Sequence, residues 1–161
     1  MLLTLIGYYG SLVRYTAEIL GDRIAEADRA ESENIAETRL AAIRDHLEAI
    51  SKTDKFFIDP QVSVTKLALW LGTNRTYLRQ TLQVYYDSSF ADYINALRVR
   101  YAVQLIEEGF MNHVTDGPTS LSQREQLQQL AMQCGFESYT SFARNFTRVA
   151  HYSPEEYLKK I

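Results

Sequence analysis

VTKLALWLG (residues 64–72) and LQQLAMQCG (residues 127–135) carry the same pattern of apolar residues, and the second stretch starts about 63 positions after the first. Each has apolar residues at positions i, i+3, i+4 and i+7 and ends in glycine. This spacing places the apolar side chains on one face of a short helix, and glycine readily takes the left-handed conformation that ends a helix. The repeat therefore predicts two short helices, each with one buried face.

A second helix is expected after each of these glycines. Leu78 and Leu82 follow the first glycine with a four-residue spacing, and Phe142 and Phe146 follow the second in the same way. Two helices joined by a tight turn that contains glycine form a helix-turn-helix unit. The sequence therefore predicts two such units, one in each copy of the repeat.

Residues typical of helix ends support this division. Ser63 and Asn74 stand at the N-termini expected for the two helices of the first unit, where their side chains can accept a backbone hydrogen bond. Asn74 is expected to cap a helix over residues 75–84.

A long linking helix is predicted between the two units, from about residue 90 to residue 108, and Gly109 ends it. Its apolar side chains recur on one stripe. They are Phe90, Ile94, Leu97, Tyr101 and Leu105. The segment 110–122 that follows has no periodicity and is predicted to be a long loop.

The N-terminal third is also expected to be helical. Residues 1–13 are mostly apolar, but about 12 apolar residues fall short of the roughly 20 that a membrane-spanning helix requires. Residues 14–33 carry both signs of charge and suit a solvated helix. Farther along, Ala36, Leu40, Ile43, Leu47 and Ile50 recur at steps of four and three residues. This stripe fits either a short coiled coil or, as the interpretation we favour, a helix that covers the first unit.

Composition argues against an enzyme. A chain of 161 residues that is 46% hydrophobic can bury a core without metal or disulfide. The one cysteine, Cys134, occupies an apolar position of the repeat, so we expect a buried structural thiol in a reducing compartment. The three histidines have no metal-ligand spacing, and no phosphate loop or nucleophile elbow is present. We therefore expect no cofactor, no metal and no catalytic residue.

Four stretches resemble, in order and spacing, the DNA-binding domain of the AraC/XylS family of bacterial transcription regulators. They are LALWLGTNRTYLRQTL (67–82), FADYINALRVRYAVQLIEEG (90–109), LQQLAMQCGFESYTSFARNF (127–146) and SPEEYLKK (153–160). The resemblance covers roughly residues 43–160. GTNRTYL is similar to Bacteroidetes-type versions, some of which carry a membrane-embedded N-terminal portion, so a membrane anchor upstream of this chain is a candidate feature.

Together, the repeat and the resemblance predict an all-α fold with two helix-turn-helix subdomains joined by a long linking helix. An N-terminal helical segment, 1–33, is expected to precede a DNA-binding domain over 34–161. Within that domain we expect the first helix-turn-helix at about 59–89, the linking helix at about 90–108 and the second helix-turn-helix at about 123–161.

The chain departs from the family pattern at three positions and in one loop. The family often has glycine after each recognition helix, where this chain has Asp87 and His151, and it often ends Pro-x-x-Tyr-Arg, where this chain has Leu158. The first two departures affect the geometry of the turns, and the third removes a basic contact. The loop at 110–122 is also longer than the usual connection.

Helical phase predicts which residues of the first recognition helix face DNA. Since Leu78 and Leu82 point inward, the opposite face carries Arg75, Thr76, Arg79, Gln80 and Gln83. Arginine can form two hydrogen bonds with guanine, and glutamine can do so with adenine. Arg79 and Gln80 are therefore the favoured base contacts, and Arg75 is expected to contact a phosphate.

The second recognition helix offers an equivalent set. With Phe142 and Phe146 inward, the outward residues are Tyr139, Thr140, Ala143 and Arg144. The family resemblance places base contacts at Tyr139, Thr140 and Arg144, although Tyr139 equally fits a residue packed on the neighbouring loop. Asn145 and Arg148 are candidate contacts to the DNA backbone.

Two further residues are expected to have structural roles. Arg98 on the linking helix matches a family arginine that we interpret as half of an ion pair at the edge of the core. Trp70 is expected to cover the linking helix or the helix at 36–50, and it is a weak candidate for a partner contact.

The charge balance is unusual for a protein that binds DNA. The chain has 17 basic and 20 acidic residues and a net charge of -3, while residues 59–161 carry 10 of each. Since DNA affinity rests largely on the neutralisation of phosphates, binding would depend on local clustering of arginines and on the N-terminal context. The clustered arginines are Arg75, Arg79, Arg144 and Arg148.

We interpret the chain as a sequence-specific transcription regulator that contacts two adjacent major-groove half-sites of double-stranded DNA. The alternative is a protein–protein interaction module that keeps the helix-turn-helix fold without specific DNA recognition. RNA polymerase is a further candidate partner. The expected location is the cytoplasm, as a free protein or as the cytoplasmic part of a membrane-anchored regulator. The apolar residues of 1–13 suit either self-association of the chain or the end of a membrane helix, and less well a contact within the chain.

Overall fold

A computed structural model describes residues 2–110 and 122–160, with side chains described from residue 18 onward. These residues form seven α-helices, one 3₁₀ turn and no strand, which confirms the all-α prediction. The helices are α1 (Leu2–Thr53), α2 (Val64–Trp70), α3 (Arg75–Tyr86), α4 (Phe90–Glu107), α5 (Gln123–Gln133), α6 (Tyr139–Ala150) and α7 (Pro154–Lys160), and the 3₁₀ turn is Phe56–Ile58. Most of the predicted loop at 110–122 and the side chains of residues 1–17 lie outside the described residues.

The chain divides into two compact units, Met1–Ala41 and Ala42–Ile161. The first unit is the N-terminal part of α1, and the side chains of residues 18–39 are exposed. The second contains both copies of the repeat. In the described residues, no helix combines the length and the apolar character needed to cross a membrane.

The C-terminal part of α1 belongs to the core of the second unit. Ile43, Leu47 and Ile50 are buried in the same cluster as Leu78 and Leu82 of α3. For these three residues, the favoured interpretation is confirmed, since the stripe covers the first helix-turn-helix.

Helix ends are formed by the residues that the sequence indicated. The Ser63 hydroxyl accepts a hydrogen bond from the Lys66 amide (3.2 Å), and Asn74 Oδ1 accepts one from the Tyr77 amide (3.0 Å). Ser138 caps α6 in the same way. Gly72 and Gly135 have φ angles of 66° and 84°, which confirms the left-handed turns predicted at the end of each repeat.

The two recognition helices end in the same left-handed geometry without glycine. Asp87 follows α3 with φ 43°, and His151 follows α6 with φ 64°. Both positions therefore have the left-handed conformation that glycine would take readily. A residue with a Cβ atom takes this conformation at a cost of about 1 kcal/mol.

We predict that His151→Gly stabilises the protein by about 1 kcal/mol, because glycine removes the left-handed strain. Asp87→Gly should gain less, since the Asp87 carboxylate accepts a hydrogen bond from Gln83 Nε2 (2.7 Å) that the variant loses. Urea unfolding of both variants measures the two free energies. A loss of stability in His151→Gly would contradict the prediction.

Helix α4 contributes to two separate cores, one in each helix-turn-helix unit. Tyr93 and Ile94, near its start, are buried in the first core. Val99, Ala102 and Ile106, farther along, are buried in the second. Apolar packing thus anchors the linking helix in both cores. The helix has 18 residues, one fewer than predicted.

The second helix-turn-helix also contacts the 3₁₀ turn that precedes the first helix-turn-helix. A Cβ atom at position 135 would lie 2.8 Å from both the carbonyl carbon and the Cα of Ile58, and closer still to its carbonyl oxygen. Only glycine fits at this distance. The turn between α5 and α6 therefore packs directly on the backbone of Ile58.

Arg98 strengthens the same junction through hydrogen bonds. Its Nε donates to the carbonyl oxygen of Phe57 (2.6 Å), and its Nη2 donates to that of Asp59 (3.1 Å). The guanidinium carbon lies 5.6 Å from the centre of the Phe136 ring, and partial burial lowers the pKa of Arg98. The structural role agrees with the sequence analysis, but the expected ion pair was wrong, because the hydrogen-bond partners are carbonyl oxygens.

Two other sequence expectations concern single side chains. Cys134 is fully buried, as predicted, and burial raises the pKa of its thiol to about 12. Trp70 is 51% exposed, and its ring meets the edge of Phe56 with the centroids 5.8 Å apart. The Trp70 ring therefore has an aromatic partner on the 3₁₀ turn.

Candidate nucleic-acid interface

Helix α3 presents a continuous polar face to solvent. All five residues named from its helical phase are exposed: Arg75, Thr76, Arg79, Gln80 and Gln83. Among the described residues, Arg75 and Arg79 form no ion pair, so both guanidinium groups are available to a ligand. Gln83 is already engaged by the carboxylate of Asp87.

Helix α6 presents a shorter polar face. Thr140 and Arg144 are exposed, and Ala143 is half-buried beside them. Arg144 has no ion pair within the described part of the chain. This face therefore exposes one guanidinium group without an ion-pair partner in the described residues and one threonine hydroxyl.

Tyr139 lies at the start of α6 and is held by two neighbours. Its hydroxyl donates to the Glu155 carboxylate at the start of α7, and its ring lies 6.1 Å from that of Phe142. Burial and this carboxylate raise the pKa of Tyr139 to about 12. The alternative of a packed Tyr139 thus has structural support, although its partner is α7 rather than a loop.

Asn145 points inward, so its predicted contact with the DNA backbone has no support here. Its side chain is 5% exposed, and its Nδ2 donates to the carbonyl oxygen of Ser141 (2.9 Å). Thr81 occupies the equivalent position of α3, is also buried, and donates to the carbonyl of Tyr77 (2.8 Å). Both recognition helices thus carry one buried polar residue that bonds the preceding turn.

Arg148 is exposed but already paired. Its Nη1 lies 2.6 Å from Oδ1 of Asp92 on α4, and its Nη2 donates to Asn145 Oδ1 (3.0 Å). A phosphate at this position would compete with Asp92. The pKa of Asp92 is lowered by a hydrogen bond from Ser89 and by the charge of Arg148.

Sequence reasoning did not single out Asp92 or Glu155. Asp92 is 56 positions from Arg148, and Glu155 is 16 positions from Tyr139. No helical periodicity relates residues so far apart, and only the packing of α6 against α4 and α7 brings them together.

The exposed residues correspond between the two units. Alignment of the N-caps Asn74 and Ser138 places Thr76 opposite Thr140 and Gln80 opposite Arg144. Each unit therefore presents a threonine and a long polar side chain one helical turn later. No group of His, Cys, Asp and Glu residues that could hold a metal was found in the described part of the chain.

No protein-family model matches the sequence, and no curated protein matches it either.

Solved structures do match. The C-terminal domain of AraT, a response regulator from Geobacillus stearothermophilus, has a TM-score of 0.53 and 18% identity, over 74% of this chain and 85% of that one. The C-terminal domain of the two-component response regulator yesN from Fusobacterium nucleatum has a TM-score of 0.51 and 21% identity, over 71% and 96%. A transcriptional regulator from Chromobacterium violaceum, described as an AraC-type protein, has a TM-score of 0.52 and 20% identity, over 70% and 88%.

These similarities cover 70 to 74% of the chain. Over that share, the chain has the fold of the AraC-type DNA-binding domains.

Proposed function

We propose that the chain is a sequence-specific DNA-binding transcription regulator in which α3 and α6 each enter a major groove. The observation that carries the proposal is the pair of exposed polar faces on the two equivalent helices. Each face has an exposed threonine, and the exposed arginines without an ion pair among the described residues are Arg75 and Arg79 on α3 and Arg144 on α6.

The length of α4 supports two adjacent half-sites. Its 18 residues span about 27 Å at about 1.5 Å per residue. Successive major-groove faces on one side of B-DNA are roughly 34 Å apart. A helix of this length, packed at both ends, suits a single chain that contacts both half-sites without a dimer.

The proposal assigns three kinds of contact. Arg79 and Gln80 on α3 and Arg144 on α6 contact base edges, because these side chains can form paired hydrogen bonds with guanine or adenine. Arg75 contacts a phosphate and fixes the register. Arg148 reaches the backbone only after it leaves Asp92, so we place it second to the other arginines.

Binding of the purified chain to pooled genomic fragments tests the proposal. Enrichment of fragments that share a motif, with protection over two helical turns, is the expected result. Binding that weakens steeply with salt and enriches no motif would instead favour the alternative interaction module.

We predict that Arg79→Ala and Arg144→Ala each weaken binding to the preferred site by about 1 to 3 kcal/mol and relax specificity in different half-sites. The reason is that each guanidinium is exposed and unpaired on a different recognition helix. Titrations with specific and random DNA at one salt concentration measure the effect. Arg29→Ala, an exposed arginine of α1 outside both recognition helices, is the matched control. Equal losses on both DNAs would reassign Arg79 and Arg144 to phosphate contacts.

A further inference from the structure

A cavity of about 210 Å³ lies between the C-terminal end of α1 and the middle of α4. Three cationic residues line it, all of them exposed to solvent: Lys52, Lys55 and Arg100. None of them forms an ion pair with a carboxylate among the described residues. Three uncompensated cations around one cavity are unexpected in a chain whose net charge is -3.

Lys55 is fixed at the wall of this cavity. Its ammonium lies 4.4 Å from the centre of the Tyr101 ring and donates a hydrogen bond to the Tyr101 hydroxyl (2.9 Å). This hydrogen bond raises the pKa of Lys55, so the ammonium keeps its charge at neutral pH. A fixed cation is preorganised for an anion.

The rest of the lining combines apolar and polar groups. Phe57, Leu97 and Tyr101 supply aromatic and aliphatic surface, and the Phe57 and Tyr101 rings meet edge to face, 5.9 Å apart. Gln104 supplies an amide, whose Nε2 donates to the Glu108 carboxylate (2.7 Å). Glu108 is the one carboxylate among the groups that act on Lys55, and the lining residues themselves include three cations and no carboxylate.

A second cavity provides a comparison. It measures about 170 Å³, and Arg98 is its one cationic lining residue. That guanidinium donates hydrogen bonds to the carbonyl oxygens of Phe57 and Asp59. Cationic groups that have neither a carboxylate nor a carbonyl partner among the described residues are therefore found at the first cavity and not at the second.

We propose that the first cavity binds a small organic anion with a phosphate or carboxylate group next to an apolar ring. Lys52, Lys55 and Arg100 contact the anionic group, because charge-assisted hydrogen bonds to such groups are strong. The ring lies against Leu97 and Tyr101. A concave shape with apolar lining and a few convergent polar groups is typical of a small-molecule site. None of the lining residues belongs to α3 or α6, so the proposal does not rest on DNA binding.

Titration of the full chain with three probes, followed by amide NMR at constant ionic strength, tests the site. The probes are phenyl phosphate, inorganic phosphate and phenol. Phenyl phosphate should shift the amide signals of Leu97, Arg100 and Tyr101 saturably, with a Kd of about 1 mM. Inorganic phosphate should bind several-fold more weakly, and phenol should not saturate.

Three variants separate binding from folding. Arg100→Gln and Lys52→Gln should each weaken phenyl phosphate about tenfold, while Arg100→Lys should retain most of the affinity. Arg124→Gln on α5 is the matched control and should bind as the unchanged chain does. Melting curves show whether each variant is folded.

Several outcomes would overturn the proposal. Phenol that binds as well as phenyl phosphate would show an apolar cavity only. No saturable shift, or an equal loss in Arg124→Gln, would show general attraction between ions. If Arg100→Gln weakens DNA binding and flattens its salt dependence, the cations belong to the DNA interface. Failure of the genomic selection, by contrast, would leave the anion site untouched.

Discussion

Replacement of Gly135 by alanine should destabilise the protein by about 3 kcal/mol or more, while the same change at Gly72 should cost about 1 kcal/mol. Both glycines are left-handed, so both variants bear the strain of a Cβ atom in that conformation. At position 135 the new methyl group also meets the backbone of Ile58. Backbone atoms cannot rotate away as a side chain can, so the turn itself must shift.

Gly72→Ala is the matched control, because no heavy atom lies within 4 Å of the position its Cβ would take. Urea unfolding of both variants measures the difference in free energy. Similar costs at the two positions would mean that the contact with Ile58 is loose and does not fix the second helix-turn-helix. If Gly135→Ala remains folded, a DNA footprint of this variant measures whether the altered turn changes the spacing of the half-sites.

Proline at position 95 should cost about 3 kcal/mol or more and should reduce a two-turn footprint to one half-site. Asn95 lies in α4 between Ile94, which is buried in the first core, and Val99, which is buried in the second. Proline removes the amide that bonds the preceding turn and its ring collides with that turn. The kink would fall between the two segments that anchor the recognition units.

Asn95→Ala controls for loss of the side chain, since alanine keeps the helix straight. Circular dichroism and unfolding curves establish that Asn95→Pro remains folded at the temperature of the footprint. A folded proline variant that still protects two helical turns would contradict the role of α4 as a rigid spacer.

The elements were predictable because local signals determine them. Ser63, Asn74, Gly72 and Gly135 are helix-end residues whose chemistry acts within a few positions, and the apolar spacing between them identifies the buried faces. The end of α3 was placed two residues too early, at 84 rather than 86. Tyr85 and Tyr86 continue the helix, and the left-handed Asp87 ends it without the glycine expected there.

Contacts between distant parts of the chain were not predictable in the same way. Helical phase gives the direction of a side chain but not its partner, so Arg98 was expected beside a carboxylate and lies beside two carbonyls. For Asn145, phase was ambiguous because the residue sits between exposed Arg144 and buried Phe146. The cavity with Lys52, Lys55 and Arg100 combines residues about 50 positions apart, and no pattern in the sequence relates them.

The Tyr101 ring packs against both cores, and the two cores share α4. Because α4 contributes side chains to both cores, disruption of one core should destabilise the other. The two cores should therefore unfold in one cooperative transition. The two copies of the repeat are therefore expected to behave as one thermodynamic unit. A destabilising substitution in either copy should lower the melting temperature of both.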